Sequence, residues 1–138
     1  MNKLLTLSIM ILFSLGLNAQ QPVISDTDGK LQYEAIVKDK KDKKNDVFFK
    51  FYEVKVKNIS NETVTFTPVL NYINNNGQAV NSSNHDGVKP ITLAPGESIG
   101  GHQENTPGLY LFKEFMVGNS GKKASDASNS LKSITINY

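Results

Sequence analysis

Apolar side chains in this chain recur at every second residue and almost nowhere at helical spacing. In "LQYEAIVK", Leu31, Tyr33, Ala35 and Val37 alternate with Gln32, Glu34 and Lys38, with Ile36 the exception. Successive side chains of a strand point to opposite faces, so this pattern predicts a strand with one buried face. The same period runs through "VFFKFYEVKVKN", where Tyr52, Val54 and Val56 face one way and Glu53, Lys55 and Lys57 the other. Phe49 and Phe51 have the opposite parity to Tyr52. A bulge near Phe51 would swap the face; alternatively the strand is central and covered on both sides. Between these strands, "KDKKDKKND" (Lys38–Asp46) has no apolar residue and reads as a solvated loop.

Turn chemistry divides the rest of the chain. Ser60–Glu62 is a turn, and Thr63–Ile73 is a strand with Val64, Phe66, Leu70 and Tyr72 on one face. Pro68 shares that parity; proline gives no ladder N–H, so this strand is expected at an edge or bulged. Asn76-Gly77 is a hairpin signal, with Gln78–Asn81 returning. A strand over Val88–Leu93 leads to Pro95-Gly96, which suits a type II turn, and Glu97–His102 returns. Gly108–Val117 is the most apolar segment past residue 20. A polar loop, Gly118–Ser130, precedes a last strand in which Ile134, Ile136 and Tyr138 share a face. Seven or eight short strands without a helix predict an all-β, antiparallel, immunoglobulin-like β-sandwich.

The first nineteen residues differ from the rest. Lys3 precedes an apolar run, Leu4–Leu17, and Asn18-Ala19 closes it with a small residue. This is the layout of a secretory signal peptide cut after Ala19. The run is too short for a membrane span, which takes about 20 apolar residues, and no later stretch qualifies. Residues 1–19 are therefore expected to be a leader and residues 20–138 a single exported domain, periplasmic or extracellular, without a transmembrane anchor.

Composition narrows the chemistry. With no cysteine, disulfides, thiolate catalysis and cysteine-ligated metal are excluded. Fifteen basic residues less Lys3 leave fourteen, against thirteen acidic ones, so the charge is nearly balanced. All the basic residues are lysine. Arginine supplies the bidentate grip on phosphate and guanine edges, so nucleic acid is not an expected partner.

Several motifs invite a catalytic or metal reading. Gly96-Glu97-Ser98-Ile99-Gly100 matches the G-x-S-x-G of a nucleophile elbow, and His102 follows. An elbow needs a helix behind its serine, and "IGGH" makes a poor one. His85, Asp86, His102 and Glu104 suggest a metal site. A hairpin centred on Pro95-Gly96 would set His102 opposite Lys89, about 13 Å from His85 at roughly 3.3 Å per residue. "DTDG" (Asp26–Gly29) resembles part of a calcium loop, but Ile24 and Ala35 fall where acidic ligands belong. "GNSGKK" (Gly118–Lys123) has the wrong spacing for a phosphate loop. The sequons at Asn58 and Asn61 are explained by turns. No catalytic residue, metal or cofactor is expected. The candidate ligand contacts are Tyr33, Tyr72 and Tyr110, which would stack on a sugar, and Lys40, Lys41, Lys43 and Lys44, which would meet acidic glycans or a membrane surface.

Val56, Asn58 and Ser60, then Asn76-Gly77, then Leu93, Pro95, Gly96 and Glu97 follow a scheme similar to that of small exported bacterial immunoglobulin-like modules of the FxLYD and telokin-like groups. The resemblance implies the sandwich fold and a non-catalytic role in the cell envelope. The expected function is a binding domain for a protein or envelope partner, with strand addition at an exposed edge as one mode. A glycan-binding module is the alternative, and a small serine hydrolase on Ser98 and His102 comes third.

Overall fold

The structure is a computed structural model, and it describes residues 20–138; the leader assigned to residues 1–19 lies outside the described residues. Nine strands are present among them: β1 (Ile24–Thr27), β2 (Leu31–Asp42), β3 (Val47–Asn58), β4 (Val64–Ile73), β5 (Ala79–Asn81), β6 (Ile91–Leu93), β7 (Ser98–Gly100), β8 (Tyr110–Phe115) and β9 (Ser130–Asn137). All pairings are antiparallel. One sheet runs β1-β2-β3, with β7 and β8 sharing the far edge of β3. The other is built on β4, which pairs with β5, β6 and β9. Two three-residue 3-10 turns, Pro107–Leu109 and Gly118–Ser120, are the only helical segments among the described residues.

The period of two places the core. Leu31, Tyr33 and Ala35 of β2 and Tyr52, Val54 and Val56 of β3 are buried against Val64, Phe66 and Leu70 of β4 and Leu131 and Ile134 of β9. The inner faces of two antiparallel sheets thus close on one cluster, the arrangement of a β-sandwich. Tyr33 is 9% exposed and belongs to this core.

Three expectations change. Lys38–Asp42 is not loop; it continues β2, paired without a break against Val47–Phe51. Charge replaces hydrophobic contact there: Lys50 Nζ lies 2.8 Å from Asp39 Oδ1 across the pair, the cross-strand match that favours a ladder. Only Lys43–Asp46 turns. Asp42 accepts from the backbone and side-chain amides of Asn45 at 3.2 and 2.7 Å, and Asp46 takes a left-handed φ of 54°, which aspartate tolerates.

Second, Pro95-Gly96 does not close a hairpin. β6 pairs with β4 and β7 with β3, so the chain changes sheets at this turn and His102 is not placed opposite Lys89. Third, Pro68 is not on an edge strand. It pairs with Ile136 inside the sheet. The partner segment of β6 ends at Phe66 and that of β5 begins at Asn71. Leu70 donates its N–H to Ser82 Oγ on the β5 side; Pro68, two residues earlier, faces the same side. Its missing N–H therefore falls in a gap between strands and costs no ladder bond. The register shift in this pairing lies further on, between Asn71 and Tyr72.

One residue joins both sheets at the crossover. Asn58 is fully buried. Its Nδ2 donates to the carbonyls of Glu62 and Leu93 at 2.7 and 3.0 Å. Its Oδ1 accepts from the N–H and hydroxyl of Ser60 at 2.9 and 2.7 Å. Its backbone N–H donates to Glu97 O, and its carbonyl accepts from Gly96 N, both at 2.9 Å. The end of β3, the start of β4 and the β6–β7 turn are thereby held by one side chain. At the far end of the β1–β2 turn, Asp28 Oδ1 accepts from the N–H groups of Lys30 and Leu31, and the Tyr138 hydroxyl donates to Asp28 Oδ2. Burial acts to raise the Asp28 pKa, but these donors outweigh it and hold the carboxyl below the usual range. Burial and the Asp28 carboxylate push the Tyr138 hydroxyl up.

Asn58→Ala will leave buried carbonyls without donors and will destabilise the protein by about 2–4 kcal/mol, read from urea unfolding. Asn71→Ala, which loses only exposed side-chain bonds, will change stability by less than about 0.5 kcal/mol. Because the folded-state pKa of Asp28 is depressed, its contribution is fully present above the ordinary aspartate pKa of about 3.9 and is lost as pH falls through the folded value. Urea midpoints taken from about pH 7 to about pH 2 will show a shallower acid-side fall for Asp28→Asn than for the unsubstituted chain.

Candidate functional site

β3 carries apolar residues on both faces. Tyr52, Val54 and Val56 point into the core, while Val47, Phe49 and Phe51 point out of the sandwich. The bulge expected near Phe51 lies instead in the neighbouring strand. Phe112 pairs with Phe51 and Glu114 with Lys50, so Lys113 is the extra residue. β3 is unbroken, and its phenylalanines stay outside. The bulge also resets β8: Leu111 and Glu114 face inward, and Tyr110, Phe112 and Phe115 face outward.

The result is a ladder of five rings on the outer surface. Centroids are 5.1 Å apart for Phe51–Tyr110, 6.1 Å for Phe49–Phe51, 5.7 Å for Phe49–Phe112 and 4.8 Å for Phe112–Phe115. All are tilted pairs within the favourable range for aromatic contacts. Four of the rings are half-buried, and Phe115 at the end of the ladder is 59% exposed. Burial raises the Tyr110 pKa.

Two rims border three of these rings, Phe49, Phe51 and Tyr110, and make a groove of about 330 Å³. One rim is β2, which sets Lys38 beside Phe51 and Lys40 beside Phe49. The other is the loop after β7, with His102, Gln103 and Glu104. Gly101 fixes that loop, because a Cβ there would lie 1.8 Å from the carbonyl oxygen of Leu109. His102 N–H donates to Thr106 Oγ1 at 2.8 Å. At the end of the groove Glu53 Oε1 lies 3.1 Å from Lys38 Nζ and 3.8 Å from Lys55 Nζ but accepts no hydrogen bond. Chemically this is an apolar floor with charged and hydrogen-bonding walls, suited to holding a ligand.

The sequence candidates are dispersed. Tyr33 belongs to the core cluster, 9% exposed, and reaches the surface only at the edge of the concavity beside Ser98. Tyr72 belongs to the other sheet, where its hydroxyl lies 3.0 Å from His85 Nε2 and the two rings meet edge-on. Tyr110 alone of the three joins the ring ladder. Lys40 stands on the groove rim, Lys41 is 3.8 Å from Asp39, and Lys43 and Lys44 lie in the turn beyond. Ser98 is exposed on β7 beside Lys57, in a more open concavity of about 440 Å³. His102 hydrogen-bonds within its own loop, and Ser98 opens strand β7 rather than a helix. Among the described residues, no group of three or more His, Asp or Glu is placed to hold a metal ion. Asp26 and Thr27 are strand, and Gly29 turns with a φ of 91°. Gly118–Ser120 is a 3-10 turn. No helix among the described residues is long and apolar enough to cross a membrane.

The residues missed by sequence reasoning are Phe49, Phe51, Phe112 and Phe115. The parity signal for the first two was visible; that of Phe115 was hidden by the bulge. Comparison with protein families, with curated proteins and with solved structures gives no match.

Phe115→Ser, on the outer ladder, will change stability by less than about 0.5 kcal/mol. Leu111→Ala, one face away and in the core, will cost about 2–5 kcal/mol. Urea unfolding of the two variants distinguishes the faces.

Proposed function

We propose that the chain is an exported, non-catalytic binding domain of immunoglobulin-like type, and that it engages a protein or envelope partner through the outward aromatic face of β3 and β8. The observation that carries this is the ladder of rings left outside a core that is complete without it. Apolar surface exposed to water costs about 25 cal/mol per Å² relative to burial, and contiguous exposed aromatic patches mark interaction sites. Two antiparallel sheets with strand crossings between them support the immunoglobulin-like assignment, and the N-terminal leader pattern supports export.

A glycan in the groove is the second reading. It is favoured by the juxtaposition of Phe49, Phe51 and Tyr110 with Lys38, Gln103 and Glu104, since sugars present apolar ring faces and hydroxyls together. Strand addition, expected on the strand of Pro68, moves to β9, which pairs only with β4. A hydrolase built on Ser98 is the weakest reading, and labelling of Ser98 by a fluorophosphonate is what would revive it.

A photo-crosslinking side chain at position 112 will capture an envelope partner in cells, whereas one at Thr65, exposed on the outer face of the second sheet, will not. Cell-wall glycan fragments added to labelled protein will shift the Tyr110 and His102 resonances if the groove holds sugar. Silence in both experiments removes the aromatic face as the binding surface.

A further inference from the structure

The open end of the aromatic face has a composition of its own. Phe115 pairs with Phe49, and Met116 N–H donates to Phe48 O, which carries the β8 chain on alongside Val47. Val47, Phe115 and Val117 are 37%, 59% and 57% exposed. They form the uncovered extension of the ring ladder. Lysines border it on both sides. Lys40, Lys43 and Lys44 come from β2 and its turn. Lys122 comes from the loop that runs back along β8, where Val117 N–H donates to Lys122 O and Ala124 N–H to Phe115 O, each at 2.9 Å; its neighbour Lys123 bridges to the buried Met116 and so takes the opposite face.

Some of the nearby acids are committed elsewhere. Asp39 pairs with Lys50 and Lys41. Asp42 accepts from the neutral Asn45 amide and keeps its charge, close enough to Lys40 to be stabilised by it. Glu114 faces inward beside Lys113. Among the described residues no carboxylate lies within 4.0 Å of the ammonium groups of Lys40, Lys43, Lys44, Lys122 or Lys123. Asp42, Asp46 and Asp126 are the acids of these segments without a lysine within 4.0 Å, against four lysines likewise unpaired, Lys40, Lys43, Lys44 and Lys122, at the margins of the strip.

An apolar strip with positive margins is complementary to an apolar surface with negative margins. Resting on the assignment of this face as the binding surface, we infer that its open end docks on an anionic phospholipid bilayer. The rings enter the boundary between headgroups and acyl chains, and the lysines sit over lipid phosphates. The polar turn Lys43–Asp46 projects beyond Val47, so the sheet lies with its outer face on the bilayer rather than entering tip first.

The full-length chain, expressed and recovered as its exported product, should be sedimented with vesicles of phosphatidylcholine alone or mixed with phosphatidylglycerol. The expected result is binding to the anionic vesicles at least about tenfold tighter than to the neutral ones, weakening as salt is raised. The double variant F115S/V117S, at exposed positions and checked by circular dichroism, should bind about tenfold more weakly. K43Q/K44Q should weaken binding to anionic vesicles only and flatten the salt dependence. Absence of binding, equal binding to neutral vesicles, or unchanged binding by F115S/V117S overturns the inference. If vesicles fail while position 112 still crosslinks a protein, bilayer docking is wrong and the binding face stands. If both fail, both are wrong.

Discussion

The fold depends on one buried amide. Asn58 stands where β3 ends, the chain leaves the first sheet, and the β6–β7 turn returns to it. A buried polar side chain costs free energy unless every donor and acceptor is met. Here both Nδ2 donors and Oδ1 are used, and the backbone N–H and carbonyl reach the same turn. No apolar residue of similar size would reproduce this set, because the partners are carbonyls and amides that have no ladder partner at a sheet crossing. The amide thus substitutes for missing strand pairing at the point where two sheets exchange chain.

Placing β7 on β3 at that point has a consequence for the outer surface. β7 occupies Lys55–Lys57 and β8 occupies Phe49–Glu53 of the same edge. The nine-residue connection between them must leave the sheet and return to the same edge. Gly101 permits it by letting the backbone pass against the Leu109 carbonyl. The departing loop becomes the wall that carries His102 and Glu104, and the lysines of β2 form the wall opposite. The aromatic groove is therefore a by-product of how two short strands share one partner, and the same amide that fixes β7 fixes one side of the groove.

Much of this was legible in the sequence because a half-buried strand writes its faces in alternate residues. Leu31, Tyr33, Ala35, Val54, Val56, Phe66 and Leu70 all take the face their parity predicts. Failures occurred where pairing, rather than pattern, decides. Lys38–Asp42 looks like loop because charges have no period of their own; it is strand because Asp39 meets Lys50 across the ladder. Pro95-Gly96 looks like a hairpin because turn chemistry is local and cannot reveal that its two flanks belong to different sheets. Phe115 was invisible as a surface residue because an extra residue, Lys113, reverses parity just before it. Tyr33 and Tyr72 were candidates by residue type although their parity already set them on the apolar faces of β2 and β4, where they pack in or against the core.

The segment Val47–Val54 also raises a problem that the lysines answer. A run with apolar residues on both faces and strong β preference is the composition of a self-associating strand. Lys50 lies within it, and Lys38 and Lys40 lie beside its outward rings. Charges at such positions oppose stacking of one copy's rings on another's, because like charges would be brought together. The same margin attracts a surface of opposite sign. A single arrangement, rings bordered by lysines of which Lys40 has no ion pair, therefore opposes self-association and is the one on which the proposed anionic counterpart rests. Specificity of this kind comes from the repulsive element as much as from the attractive one.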